Sequence, residues 1–116
     1  GDGGQTRDFT YVDNAVHANI LALFCDDLSE FGMAFNVACE NSISINKLFE
    51  CIKEETEYII KQKIILDPIY APERAGDVRN SLADLSLINK YIGYKPVISS
   101  NEGIKKTVKW YFMGED

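Results

Sequence analysis

Histidine is nearly missing from this chain, and cysteine and proline are scarce: His17 stands beside only three cysteines and three prolines in 116 residues. The cysteines, Cys25, Cys39 and Cys51, form no Cys-x-x-Cys pair and no even set, so neither a disulfide framework nor a redox dithiol is spelled out. They are read as reduced thiols serving as small apolar residues, as in a cytoplasmic protein. A zinc site would want more histidine than this, and no metal is expected. No run of residues approaches the ~18 apolar positions of a membrane span. Positive charge is short as well. Twelve basic residues against eighteen acidic ones leave a net charge of −6. That balance argues against nucleic acid or an anionic membrane as partner, since both select basic surfaces.

What remains is ordinary for a soluble globular domain, with 46% hydrophobic and 26% charged residues. A chain of this size has room for one small domain that buries about 60–70% of its unfolded surface.

Local patterns predict an alternation of elements. Gln5 to Tyr11 reads as a short strand after the flexible Gly1–Gly4. Asp13 is the expected cap of a first helix whose Val12, Val16, Ile20, Leu23 and Phe24 share a face, ending near Asp26-Asp27. Ala34–Ala38 follows the turn residue Gly32 as a brief apolar strand. Ser44 caps a second helix with Ile45, Leu48, Phe49 and Ile52 on one face and Lys53-Glu54-Glu55 at its solvated end. Ile59 to Pro72 reads as extended, with Ile64-Ile65-Leu66 a strand that Pro68 and Pro72 stop. Asp84 caps a third helix with Leu85, Ile88 and Ile92 inward, and Gly93 ends it. Ser99 and Glu102 are spaced as a capping box before a last helix, where Ile104, Val108, Tyr111 and Phe112 form the inward stripe. The first ~40 residues then look like pieces of a parallel α/β layer with helices on its faces. Two strands make a poor sheet alone.

Two loops each set an arginine beside glycine and aspartate: Gly3-Gly4-Gln5-Thr6-Arg7-Asp8-Phe9, and Arg74-Ala75-Gly76-Asp77-Val78-Arg79-Asn80-Ser81. A guanidinium is a planar fork of donors that matches phosphate oxygens and stays charged at any relevant pH. Glycine neighbours admit close backbone approach to a ligand. Arg7 and Arg74 are therefore candidate phosphate ligands, and Asp77 could accept hydrogen bonds from sugar hydroxyls. The plainer alternative is structural, with Arg7 paired to Asp8 or Asp13 and Arg74 to Asp77. His17 is read as a solvated or packed residue, Trp110 as packing, and Lys105, Lys106 and Lys109 as a solvated face. Tyr91 and Lys95 spell Tyr-x-x-x-Lys, but Gly93 and Pro96 interrupt any common helical face, so no catalytic pair is expected there. Gly1-Asp2-Gly3-Gly4 lacks both a preceding strand and Gly-x-x-Gly-x-x-Gly spacing.

The segment Gly1 to Phe9, followed by Tyr11-Val12-Asp13 and Ala18-Asn19, resembles the extended short-chain dehydrogenase/reductase family. So do Phe35-Asn36-Val37, Ser44-Ile45 before Leu48, Arg74-x-Gly76-Asp77, Gly93-Tyr94-Lys95-Pro96, Glu102-Gly103-Ile104 and Trp110-Tyr111. The match runs in order through nearly the whole chain. Within the family, the stretch from Arg74 to Asp84 is most similar to 4-epimerases of UDP-N-acetylglucosamine or UDP-glucose.

The resemblance implies an α/β fold, the C-terminal, substrate-binding portion of a Rossmann-type enzyme whose NAD-binding N-terminal part is not in this chain. Residues 1–58 would be the remnant of the α/β layer and 59–116 the substrate lobe. It implies that Arg7 and Arg74 hold the diphosphate of a UDP-sugar, that Asp77 bonds the ribose, and that Asn36 and Val37 lie near the nucleotide. Ser81 would sit at the sugar end, where a small residue leaves room for an N-acetyl group. The implied reaction inverts C4 of the hexose through a 4-keto sugar with NAD, in a homodimeric parent. The chain by itself would not catalyse and would self-associate. Family sisters, a 4,6-dehydratase or a decarboxylase, and a non-catalytic nucleotide-sugar binding module are the rival expectations. Two positions depart from the family pattern: Asn14 replaces an aspartate and is expected on the helix surface, and Asn80 stands where histidine is common.

Overall fold

The computed structural model describes residues 1–26 and 32–114. Among these the elements run β1 (Thr6–Asp8), α1 (Val12–Leu23), β2 (Ser42–Ser44), α2 (Ile45–Ile60), α3 (Ser86–Ile92) and α4 (Ser100–Met113). The chain is a small mixed α/β structure, as the alternation of patterns implied.

The sheet differs from the expected parallel layer. β1 pairs antiparallel with β2, with Thr6 opposite Ser44, Arg7 opposite Ile43 and Asp8 opposite Ser42. On the other edge of β1, the Thr6 amide donates to the Arg79 carbonyl at 2.9 Å and the Ser81 amide donates to the Thr6 carbonyl at 3.2 Å. This is a parallel bridge between Thr6 and Asn80, and it stitches the 72–81 loop onto the strand. Residues 34–38 join no strand among the described residues; Phe35 and Val37 pack instead on a helical core. Ile64–Leu66 forms no strand either, and Ile65 is fully exposed. Apolar runs report a preference for burial, whereas a strand also needs a partner for its amides.

Helix starts were more faithful to local chemistry. Ser44 Oγ accepts the Lys47 amide at 3.1 Å, and Ser99 Oγ accepts the Glu102 amide at 3.2 Å. Each satisfies a donor that the first helical turn leaves orphaned. Asp84 Oδ1 accepts the Ser86 amide at 2.8 Å, so it ties down the entry to α3 although Leu85 occupies the cap position. Gly93, with φ 68°, closes α3, and its amide donates to the Asn89 carbonyl. α1, in contrast, is capped by Tyr11 rather than Asp13, without a side-chain bond. Asp27, expected at its end, lies outside the described residues. α2 does not stop at Lys53-Glu54-Glu55 but runs on to Ile60. Glu57 then fastens the turn beyond, accepting the Ile64 amide at 2.9 Å and pairing with Lys63 at 2.6 Å. Charges inside a helix mark its wet face, not its end.

The core joins Ala18, Ala38, Leu85, Ile88 and Tyr94. The Tyr94 ring is 1% exposed, and its hydroxyl donates to the Ala38 carbonyl at 2.9 Å. A second contact packs α2 on α4, where Ile104 and Val108 are buried. Gly103 sits so close to Tyr11 that an added Cβ would lie 2.6 Å from the tyrosine Cβ. Tyr111 and Phe112 are exposed, unlike the stripe expected for α4, and Trp110 is half-exposed with its ring at 5.3 Å from that of Tyr111.

The shared face of α1, Val12, Val16, Ile20, Leu23 and Phe24, is 49–76% exposed, while Asn14 and Ala18 face the core. Asn14, expected on the surface, is fully buried. Its Oδ1 accepts the amides of Val97 and Ile98 at 2.9 and 3.0 Å, and its Nδ2 donates to the Ile98 carbonyl at 2.7 Å and to Cys39 Sγ at 3.2 Å. A buried amide group with every polar atom engaged is worth more inside than out. The molecule is also flat. It is 17 Å thick along its short axis, with a radius of gyration of 17.1 Å, against the about 13 Å of a compact domain this long.

Candidate functional site

β1 projects Arg7 towards the 72–81 loop, which the Thr6 bridge holds alongside. One guanidinium nitrogen of Arg7 donates to the carbonyls of Thr6 and Val78, both at 2.7 Å, and another pairs with Asp77 Oδ1 at 2.5 Å. The structure thus chooses a partner for Arg7 that spacing did not suggest. Asp8 is occupied elsewhere, its Oδ1 accepting the Cys39 amide at 3.0 Å.

Asp77 belongs to a tight turn. Its amide donates to the Arg74 carbonyl at 3.2 Å, and Gly76 takes the left-handed φ of 79° that the turn requires. Arg74 itself is exposed. Arg74, Asp77 and Arg79 line one small cavity of about 90 Å³ together with Gly1, Gln5 and Glu73. A drug-sized ligand occupies roughly 300–1,000 Å³. The cavity is therefore far smaller than such a ligand, and its wall carries two arginines and two carboxylates.

The glycine turn before β1 is built around two side chains that sequence reasoning missed. Arg79 holds Asp2 in a two-pronged pair, at 2.6 and 2.9 Å. The guanidinium and the Gly4 amide together hold the Asp2 carboxyl down to about 2. A Cβ on Gly4 would lie 2.4 Å from Arg79 Nη2, and one on Gly3, at φ +73°, only 2.0 Å from Asn46 Oδ1. Asn46 in turn bonds both the Asp2 carbonyl and the Tyr70 hydroxyl, at 3.1 Å each. The only available signal was a pair of opposite charges seventy-seven residues apart, which no local pattern connects.

Ser81 is held by its backbone: its amide donates to Thr6 and its carbonyl accepts from Ser42 Oγ at 3.0 Å, while the residue is exposed. Asn80 Oδ1 accepts from Thr6 Oγ1 at 3.2 Å. Asn36 lies apart from this cluster, donating to the Asp84 carbonyl at 3.4 Å, and Val37 packs on the helical core. His17 is half-buried with its ring 6.0 Å from that of Tyr94. Tyr91 and Lys95 share no helical face, since α3 ends at Ile92 and Gly93 turns the chain.

The arrangement sets the held guanidinium of Arg7 against the Asp77 carboxylate and the exposed Arg74 on the cavity that Asp77 also lines, with both cations charged at any relevant pH. The glycine turn leads into a three-residue strand rather than the N-terminus of a helix, and Asn46 and Arg79 stand against it where a Cβ on Gly3 or Gly4 would lie. Among the described residues no cluster of three or more metal-ligating side chains occurs, and no helix is long and apolar enough to cross a membrane.

The family model described as GDP-mannose 4,6 dehydratase matches residues 1–107. A putative UDP-glucose 4-epimerase of Methanocaldococcus jannaschii is 34% identical, the match covering 95% of this chain and 32% of that one. A UDP-N-acetyl-α-D-glucosaminuronate decarboxylase of Bacillus cytotoxicus is 30% identical, covering 96% and 34%, and a dTDP-glucose 4,6-dehydratase of Escherichia coli is 31% identical, covering 96% and 30%. Among solved structures, the UDP-glucose 4-epimerase of Thermotoga maritima with UDP-glucose superimposes with a TM-score of 0.81 at 36% identity, over 98% of this chain and 34% of that one. The UDP-N-acetylglucosamine 4-epimerase of Methanobrevibacter ruminantium in complex with UDP-N-acetylmuramic acid gives 0.78 at 38%, over 98% and 34%. Other solved neighbours, at 25–27% identity, contain NAD. The chain spans about a third of the length of the curated relatives it matches.

Proposed function

The chain belongs to the GDP-mannose 4,6 dehydratase family of extended short-chain dehydrogenases/reductases, and from that premise we propose that it is the substrate-binding portion of a UDP-hexose 4-epimerase of the N-acetylhexosamine type. One observation carries the reading. The structure brings Arg7, from a strand, against Asp77, from a loop seventy residues on, and sets Arg74 on the cavity that Asp77 also lines. In this reading Arg7 and Arg74 bind the diphosphate, Asp77 accepts from the ribose, and Ser81 faces the sugar. Asn36 and Val37 border the nucleotide. Residues 1–58 supply the end of the α/β layer and 59–116 the substrate lobe. NAD is held by residues outside this chain, in a cytoplasmic, homodimeric parent, and this chain by itself does not turn over. The solved relatives with UDP-glucose and UDP-N-acetylmuramic acid support a UDP-sugar as the ligand class.

The sister activities, decarboxylation and 4,6-dehydration, share the diphosphate contacts and differ at the sugar. The Arg74-Ala75-Gly76-Asp77-Val78-Arg79 stretch, with Ser81 following, is what favours the epimerase. Calorimetric titration of the chain with UDP and with uridine tests the phosphate assignment. UDP should bind and uridine should not, because each charge-assisted hydrogen bond is worth about 1.5–3 kcal/mol. Equal binding of the two would sink the reading.

A further inference from the structure

We propose that Asp2 and Arg79 form a positioning strap that fixes the 72–81 loop against the glycine turn and so presents Arg7 and Arg74 to the ligand in one geometry. The inference rests on the nucleotide-diphosphate reading above. Three features support it. The pair is two-pronged, with both carboxylate oxygens engaged at 2.6 and 2.9 Å, and the Gly4 amide adds a third bond to the same carboxylate at 2.8 Å. A forked arginine–carboxylate contact fixes orientation as well as distance. The backbone of Arg79 then continues the tie, since its carbonyl accepts the Thr6 amide one residue before Arg7.

The glycines are the second feature. Gly4 leaves the space that the Arg79 guanidinium fills, and Gly3 leaves the space for Asn46, whose amide group returns to the Asp2 carbonyl. The turn is therefore shaped around the strap. Third, the strap neutralises Arg79. Of the two arginines on the cavity wall, Arg79 carries its own counter-charge and Arg74 has no ion pair among the described residues. The ligand's charge thus falls to Arg74, with Arg7 behind Asp77.

Two variants break the strap by different means. Asp2→Asn removes the charge, and Gly4→Ala puts a methyl group 2.4 Å from Arg79 Nη2, so the guanidinium must swing away from its present place. Exchange of the Thr6, Asp77 and Ser81 amides should quicken by about three- to fivefold in both, the factor an exposed ion pair of ordinary strength commands, with UDP affinity falling by a similar factor. Amides of α4 should be unmoved in both. Unchanged loop exchange and unchanged UDP affinity in both single variants would overturn the strap, as would faster exchange spread through α4. If the parent chain bound no UDP while the loop amides still responded, the functional reading would fail and the strap would stand.

Discussion

Arg7 and Asp77 meet across seventy residues of chain, and the same guanidinium also caps the carbonyls of Thr6 and Val78. The arginine is thus fixed before any ligand arrives, which lowers the ordering cost of binding. Asp77 is fixed with it through the same pair.

Arg7→Lys should therefore hurt binding more than a conserved charge suggests. A lysine keeps the charge but cannot bridge two carbonyls and a carboxylate from one plane. UDP affinity should fall about tenfold or more, the equivalent of one charge-assisted hydrogen bond. Calorimetric titration checks it, and an affinity within twofold of the parent would count against Arg7 as a phosphate ligand.

Asn14, fully buried, joins α1 to the segment before α4 through three hydrogen bonds and to Cys39 through a fourth. Asn14→Ala strands the Val97 and Ile98 amides, each costing about 1–3 kcal/mol if water cannot reach it. Against a typical total of about 5–15 kcal/mol, that should be visible as a large drop in the urea midpoint. A loss under about 0.5 kcal/mol, the usual surface range, would show that Asn14 is solvated in solution.

Asn14 also marks where sequence legibility stopped. Ser44, Ser99 and Gly93 could be placed because a cap bonds an amide two or three residues away and a left-handed stop favours glycine in its own right. Arg7, Arg74 and Asp77 drew notice in the same local way, through residue type and glycine neighbours, and the fold brings Arg7 against Asp77. Partners hundreds of atoms away in sequence carry no such sign. The antiparallel pairing of Thr6 with Ser44, the Arg79–Asp2 pair and the burial of Asn14 all depend on the assembled fold. For α1, periodicity located the apolar face correctly but could not say what covers it, and here it lies open.

That open face has a consequence. Val12, Val16, Ile20, Leu23 and Phe24 run along one side of α1 in a molecule only 17 Å thick. A contiguous apolar stripe of this kind drives association unless another surface covers it. The chain should sediment as dimers or larger species at high concentration, and Val16→Lys with Ile20→Glu should shift it towards monomer without disturbing the helix. A parent chain that stays monomeric at millimolar concentration would sink the idea.

The strap has a pH signature of definite sign. The Asp2 carboxyl is lowered from 3.8 to about 2, chiefly by its bond to Arg79. A depressed folded value means the contribution is complete above the unfolded value, so it is fully present above about pH 4 and is lost as pH falls towards 2. The carboxyl carbon of Asp2 should titrate by NMR near 2 and return towards its ordinary value in Arg79→Gln. An ordinary midpoint in the parent chain would mean the pair is open in solution.

Ser81 is the remaining test, and its backbone anchoring makes the test clean. The Ser81 amide donates to Thr6 and its carbonyl accepts from Ser42, so a larger side chain leaves both ties in place while the exposed hydroxymethyl is replaced. If the residue borders the sugar, a phenol ring there occupies the space an N-acetyl group needs, and misplacing the sugar by ~1 Å can cost ~100-fold in rate. Ser81→Tyr, measured in an enzyme of full family length that carries these residues, should depress kcat/KM for UDP-N-acetylglucosamine by about that factor and spare UDP-glucose. A purely structural role predicts equal losses on both sugars, because the loop would then loosen for either. The ratio of the two specificity constants separates the cases, and a ratio unchanged from the parent would remove Ser81 from the sugar pocket.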